Sequence, residues 1–148
     1  MSADADAGLA RRLRLIAEVA ASTGINERMI QQLVHRFYER ARADQLIGPI
    51  FNSRVKDWDQ HLARLCDFWS SVTLMSGRYH GQPMAAHTPL PIEPEHFDRW
   101  LQLFAQTARE TCPPSAAQYF IERAQRIADS LELGIAARRG ELRGARVR

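Results

Sequence analysis

The stretch Pro83-Met84-Ala85-Ala86-His87-Thr88-Pro89-Leu90-Pro91 places a histidine between prolines. Proline lacks an amide hydrogen and restricts the residue before it, so only about one turn of helix can form around His87. A segment this short can direct one side chain at a ligand without the neighbours of a long helix in the way. His87 is therefore a candidate ligand-binding residue.

A second histidine, His61, lies on the apolar face of a helix predicted from about residue 56 to residue 75. The pattern Trp58-x-x-His61-Leu62-x-x-Leu65-x-x-Phe68-Trp69 has helical spacing. A lone histidine on such a face is more often an ordinary core residue than a ligand. Because an imidazole among aromatic side chains is costly without a partner, two of them in one small chain indicate a shared ligand.

The other apolar patterns predict an all-α domain, and no segment alternates convincingly with period two. We expect a short N-terminal helix up to Ser22-Thr23-Gly24, after a disordered acidic segment that ends at about residue 8. The remaining predictions are a helix after the N-cap Asn26, a compact turn over residues 46–52, a helix that begins at Pro94 and stops before Pro113, and a last helix from about Ser115.

Length and charge predict one globular domain with a basic tail. The chain has 148 residues and a formal net charge of +3, but residues 138–148 hold five arginines against Glu141, which leaves about −1 for the rest. We therefore predict an N-terminal extension over residues 1–24, a core domain over residues 25–136 and a solvated, poorly ordered tail over residues 137–148. The globular part has no evident electrostatic footprint for nucleic acid.

The same composition predicts a cytoplasmic location. No apolar run approaches the length of a membrane span, and the N-terminus lacks the apolar core of a secretory signal. Cys66 and Cys112 are a sparse pair, which fits reduced thiols better than a disulfide.

Polar atoms on apolar helix faces also need partners. The hydroxyl of Tyr38 and the indole N–H of Trp100 are predicted to be buried, where such groups normally form hydrogen bonds. A backbone carbonyl or solvent could satisfy them, or they could act on a bound ligand. His35, His80 and His96 are predicted to face solvent.

Haem fits these observations. An iron porphyrin needs a flat apolar slot, an axial imidazole on one side of the ring and residues of suitable polarity on the other side. Several motifs also occur in the order and approximate spacing of the truncated haemoglobins, and they most resemble the third group of that family. The motifs are Phe37-Tyr38, Leu46-x-Gly48-Pro49-Ile50-Phe51-Asn52, Trp58-x-x-His61, Phe68-Trp69, Gly81-Gln82-Pro83-Met84-x-x-His87 and Trp100-Leu101-x-Leu103-Phe104. The resemblance covers roughly residues 25–136.

The resemblance implies a truncated two-over-two globin fold, with the helices of Tyr38 and His61 as one pair and those of Trp100 and Ile127 as the other. It implies haem as the cofactor and His87 as the proximal ligand of its iron. Tyr38, His61 and Trp100 are expected on the distal face. The residues expected to hold the cofactor are Phe37, Phe51, Arg64, Leu65, Trp69, Tyr79, Phe97 and Ile127, of which Arg64 and Tyr79 could reach a propionate. The long N-terminal extension and the arginine tail depart from the family pattern.

The expected activity is binding of dioxygen and other small diatomic ligands, such as carbon monoxide and nitric oxide, at ferrous haem. Tyr38 is the expected main hydrogen-bond donor and Trp100 the second. Several donors slow ligand release, which suits nitric oxide dioxygenase-like or peroxidase-like chemistry better than oxygen transport. Such chemistry needs a reductase partner, which the sequence does not identify.

Two alternatives stay open. If His61 binds the sixth position, the resting haem is six-coordinate and suits electron transfer or ligand sensing. The other is a haem-free helical binding module whose tail contacts nucleic acid, although that tail has no interleaved aromatics and no recognition-helix pattern. A hydrolase or transferase is disfavoured, because a phosphate-binding glycine loop, a helical zinc motif and a nucleophile elbow are all missing from the sequence.

Overall fold

The structure of the protein is a computed structural model that describes residues 3–87 and 89–140. Every regular element in these residues is helical, which confirms the all-α prediction. The helices are α1 (Ala3–Thr23), α2 (Glu27–Ala43), α3 (Gly48–Arg54), α4 (Trp58–Leu74), α5 (Pro83–His87), α6 (Pro94–Thr111) and α7 (Pro114–Arg138). Over the described ranges, no helix is both long and apolar enough to span a bilayer.

The N-terminal extension forms one long helix, so the prediction of disorder up to residue 8 was wrong for residues 3–8. Alanine at every second position favours a helix, and Asp4 and Asp6 lie in the first turn, where negative charge complements the helix dipole. Leu9 and Leu13 are each 57% exposed, and α1 contacts α4 and α7. The helix therefore forms from local propensity over its first half and from packing only near its end.

α2 carries the predicted site residues Phe37 and Tyr38 on a continuous buried face. Asn26 caps it by accepting a hydrogen bond from the backbone N–H of Met29. Its buried positions follow the helical period: Ile30, Leu33, Val34, Phe37, Tyr38 and Ala41. This face contacts α4 and α6, and α6 in turn packs along α7. Tyr38 is thus held at the centre of the fold.

The segment predicted as a compact turn contains a short helix instead, α3. Pro49 lies in its first turn, where proline is tolerated because the amide that it lacks has no partner inside the helix. A Cβ on Gly48 would lie 2.7 Å from the carbonyl oxygen of Arg42, so only glycine permits this close approach to the end of α2. The Gly-Pro pair therefore starts a helix here, and Phe51 reaches the ring of Tyr38 at 5.4 Å.

The short turn around His87 is confirmed as α5, which spans five residues and has no buried side chain. α5 contacts the long C-terminal helix α7. Residues 137 and 138, which the sequence analysis places in the tail, continue α7, and Arg139 is its C-cap. The rest of the predicted tail, residues 141–148, lies outside the described residues.

Candidate functional site

A cavity of about 660 Å³ opens between the helices and is lined mainly by apolar and aromatic side chains. This volume is within the usual range for a small-molecule or cofactor site. The charged side chains of its lining are exposed and therefore stand at its mouth: Arg54, Lys56, Asp57 and Arg64. The cavity is thus apolar inside and mostly cationic at its entrance.

Tyr38, His61 and Trp100 lie around this cavity, and we call these three residues the Tyr38 wall. Tyr38 is 5% exposed, and its ring meets the imidazole of His61 edge-on at 6.1 Å. Behind the wall, the ring of Phe104 stacks on those of Trp100 and Trp69 at 5.3 Å and 5.0 Å. Because aromatic packing fixes these rings, the wall is preorganised.

The polar atoms of Tyr38 and Trp100 meet each other. Burial raises the pKa of Tyr38, and a hydrogen bond from the indole N–H of Trp100 partly offsets that rise. The phenol therefore stays protonated at physiological pH. Tyr38 also lines the cavity. The arrangement leaves the Tyr38 proton for a group inside the cavity.

His61 is half-buried between the rings of Tyr38 and Trp58. Burial lowers the pKa of its imidazole, and the charges of Arg64 and His87 lower it further. His61 is therefore neutral at neutral pH, and it lines the same cavity as His87. A neutral imidazole can either accept or donate one hydrogen bond there.

His87 lies on a different wall of the cavity, on the segment formed by residues 83–87 and 89–92, which we call the His87 segment. The Nδ1 of His87 lies 2.6 Å from the carbonyl oxygen of Pro83. A carbonyl only accepts, so Nδ1 carries a proton, and in a neutral imidazole Nε2 is then the nitrogen with the lone pair. A second partner of this kind is what fixes the tautomer of a metal-binding histidine.

Similarity to known proteins agrees with this geometry. The bacterial-like globin family model matches residues 22–132. The group 3 truncated haemoglobin ctb of Campylobacter jejuni is 35% identical over 113 residues, which cover 73% of this chain and 89% of that protein. This chain belongs to the third group of truncated haemoglobins.

Other comparisons agree with the assignment of this truncated haemoglobin. The crystal structure of a group III truncated haemoglobin from Campylobacter jejuni superimposes with a TM-score of 0.70 at 35% identity, over 75% of this chain and 91% of that one. The group 2 truncated haemoglobin YjbI of Bacillus subtilis is 34% identical over 79 residues, or 52% of this chain and 60% of that protein. The predicted truncated globin fold is thereby confirmed.

The truncated haemoglobin cavity gathers nearly all the residues that the sequence analysis assigned to the cofactor. They are Phe51, Arg64, Leu65, Trp69, Tyr79, Phe97 and Ile127, and all of them line it. The ring of Tyr79 packs against Phe68 at 5.1 Å, and its backbone N–H donates to Ser71 Oγ. Phe37 does not line the cavity, because its ring is buried behind Tyr38 and Trp100 at 4.8 Å and 5.6 Å. It supports the wall from the core.

Other lining residues were missed by the sequence analysis. His96 was predicted to face solvent, yet it is half-buried, lines the cavity and accepts a hydrogen bond from the backbone N–H of Glu93. Its position three residues after Glu93, the N-cap of α6, is the capping-box spacing and could have indicated this role. Arg54 and Lys56 at the mouth had no comparable signal, since isolated charges are usually solvated.

Proposed function

We propose that the cavity holds haem, that His87 would bind its iron, and that the chain binds dioxygen and other small diatomic ligands there. When bound, haem supplies an iron atom that takes such a ligand. The observation that carries the proposal is the pairing of His87 Nδ1 with the Pro83 carbonyl oxygen on one wall of an apolar cavity of about 660 Å³. This pairing prepares Nε2 for a metal.

The residues of the cavity fit a haem group in shape and charge. Aromatic and aliphatic side chains such as Phe51, Leu65 and Phe97 would contact the flat porphyrin. The exposed cations at the mouth would face its two propionates, and Arg64, three residues after His61 on α4, is one of them. Tyr79, which also lines the cavity, would assist.

Tyr38 would be the main hydrogen-bond donor to a ligand in the cavity. Burial raises the pKa of Tyr38 by more than Trp100 lowers it, and the raised pKa keeps the phenol proton in place. A hydrogen bond from the phenol to a partly negative ligand would be stronger than one between neutral groups. Trp100 would then act chiefly by orienting the Tyr38 phenol. Its indole N–H would donate to the ligand itself only when the phenol moves away.

A ligand held by such donors leaves slowly. Slow release suits a reaction with a second small molecule, such as nitric oxide dioxygenation or peroxide reduction, better than oxygen transport. The support for this reading is the preorganised, buried donor on the Tyr38 wall. We infer a role in oxygen and nitric oxide chemistry or in peroxide handling, sustained by a reductase.

The six-coordinate alternative has a specific observation in its favour. His61 is neutral and shares the cavity with His87, so its imidazole could also bind the metal. Against it, the ring of His61 packs edge-on against both Tyr38 and Trp58, which holds the ring on the wall. We therefore favour an open sixth position.

Absorption spectra of the purified protein test the proposal. With haem supplied, we expect a Soret band and a ferrous form that is high-spin and five-coordinate and that takes up carbon monoxide. His87→Gly should lose haem readily and recover five-coordination with free imidazole, whereas His61→Leu should keep its haem. A protein that never shows a Soret band would sink the proposal. A low-spin ferrous form that disappears in His61→Leu would favour the six-coordinate alternative.

A further inference from the structure

The end of α7 touches the His87 segment before and after the histidine. Met84 precedes His87 by one helical turn and meets α7 at Gly134. Leu90 and Glu93 follow His87 and meet α7 at Arg139. α5 is too short to be stable alone and has no buried side chain, so contacts from outside must set its position.

Gly134 provides the first contact by having no side chain. A Cβ on Gly134 would lie 2.5 Å from the sulfur of Met84 and closer still to its Cε. Glycine inside a helix costs about 1 kcal/mol relative to alanine. The compensating feature is a recess on α7 that the thioether of Met84 fills, next to the apolar cluster of Phe97, Leu131 and Ile135.

Arg139 provides the second contact with two hydrogen bonds. One guanidinium nitrogen lies 3.2 Å from the carbonyl oxygen of Leu90, and another lies 3.0 Å from Oε1 of Glu93. The backbone N–H of Leu90 in turn donates to the carbonyl oxygen of His87 at 3.0 Å. Two hydrogen bonds thus connect Arg139 to the backbone of His87, with Leu90 as the single residue between them.

We propose that Gly134 and Arg139 are positioning residues that set the orientation of the His87 imidazole in the cavity. The proposal rests on the proposed function, in which His87 is the axial ligand. It assigns a role to Arg139, which by sequence belongs to an arginine-rich tail. The planar guanidinium holds a carbonyl and a carboxylate together, which a lysine cannot do in the same geometry.

Arg139→Gln tests the second contact, and Arg138→Gln is its matched control, because Arg138 is the exposed neighbour with the same charge. In the haem-loaded ferrous protein, we expect Arg139→Gln to shift the iron–histidine stretching frequency in resonance Raman spectra. It should also speed haem loss by about two- to fivefold, the range of an exposed ion pair. Arg138→Gln should change neither, and Arg139→Lys should recover only part of the effect.

Gly134→Ala tests the first contact. We expect it to shift the same stretching frequency, and Gly134→Ala combined with Met84→Ala should restore it, because the smaller side chain vacates the recess. Gly8→Ala on α1 is the control for the general effect of alanine in a helix, since a Cβ there meets nothing within 4 Å. A frequency shift that persists in the double variant would contradict the recess.

Hydrogen exchange separates this proposal from the haem assignment. With or without haem, the backbone amides of Met84, Ala85, Ala86, His87, Leu90 and Ile92 should exchange about two- to fivefold faster in Arg139→Gln than in Arg138→Gln, again the range of an exposed ion pair. Equal exchange and an unchanged stretching frequency would overturn the positioning role while leaving haem binding intact. If Arg139→Gln exchanges faster but the protein binds no haem, the contact between Arg139 and the His87 segment is supported. The proposed function is then overturned, and so is the role of Arg139 in orienting His87 toward a ligand.

Discussion

The Tyr38 wall and the His87 segment face the same cavity but are held in different ways. Tyr38 and Trp100 lie inside long helices, and Phe37 and Phe104 behind them are almost fully buried. The His87 segment has a five-residue helix with no buried side chain. It depends on the contacts that Met84, Leu90 and the adjacent Glu93 make with the end of α7. One wall is therefore part of the core, and the other is attached to it.

The ion pairs near the two regions also differ in how far they are buried. Asp44 at the end of α2 pairs with Arg99 of α6, and its side chain is only 9% exposed. It also accepts hydrogen bonds from the backbone N–H groups of Leu46 and Ile47. Glu93 beside the His87 segment is 51% exposed where it pairs with Arg139. We therefore expect the side chains of the Tyr38 wall to have fixed positions. The position of the His87 segment should be easier to change by substitution.

The largest expected effect comes from the core behind the wall. Phe104→Ala should lower the free energy of unfolding by about 3–5 kcal/mol, because the ring is almost fully buried and stacks on two tryptophans. Met84→Ala, at the His87 segment, should cost about 1 kcal/mol, since Met84 is only half-buried. Urea denaturation of both variants checks this, and equal losses would contradict the contrast between the two regions.

Next in size is the effect of the donor on the wall. Tyr38→Phe should speed oxygen dissociation from the haem-loaded protein by about 10- to 100-fold, the worth of a hydrogen bond to a charged group. Stopped-flow or flash photolysis measures the rate. Tyr119→Phe is the control, because that half-buried tyrosine pairs with Arg123 outside the cavity. An unchanged rate in Tyr38→Phe would remove the phenol as donor.

Trp100→Phe should have a smaller effect on the same rate, about three- to tenfold, the worth of one ordinary hydrogen bond. The indole acts through Tyr38, whose oxygen it holds. The two substitutions should therefore be non-additive in a double-mutant cycle of dissociation rates. Strict additivity would show that Trp100 acts on the ligand independently of Tyr38.

The smallest effects concern the two ion pairs. Asp44→Asn should cost about 1 kcal/mol of unfolding free energy at pH 7, and Glu93→Gln should cost less than about 0.5 kcal/mol, as expected for exposed pairs. Burial acts to raise the pKa of Asp44, but hydrogen bonds from Arg99, Ile47 and Leu46 and the charge of Arg99 outweigh it and lower the pKa.

The lowered pKa of Asp44 also predicts a pH dependence. A carboxyl whose pKa is lower in the folded state stabilises the fold above its unfolded pKa of about 3.9, and this contribution disappears as the pH falls through the folded value. The stability gap between the native protein and Asp44→Asn should therefore narrow below about pH 4. A gap that stays constant from pH 7 to pH 3 would contradict the role of the charge.

Local patterns predicted most of the helices because they depend on nearby residues. The spacing of Ile30, Phe37 and Ala41 and the cap at Asn26 are sufficient for α2. The same reasoning failed for residues 3–8 and 46–52. In the first, alanine propensity and acidic residues outweighed low hydrophobicity. In the second, a compact turn was predicted, whereas Gly48 packs against the Arg42 carbonyl and begins a helix.

The sequence by itself determined the all-α class, the short turn around His87 and the candidate site residues, because proline geometry, helical period and family motifs are local properties. Only the tertiary structure decided that Phe37 lies behind the wall, that His96 lines the cavity and that Trp100 affects the pKa of Tyr38 there. It also brought Arg139 to Leu90, 49 positions away. These relations depend on how helices distant in the chain pack together, and no local pattern encodes the direction of a side chain across that packing.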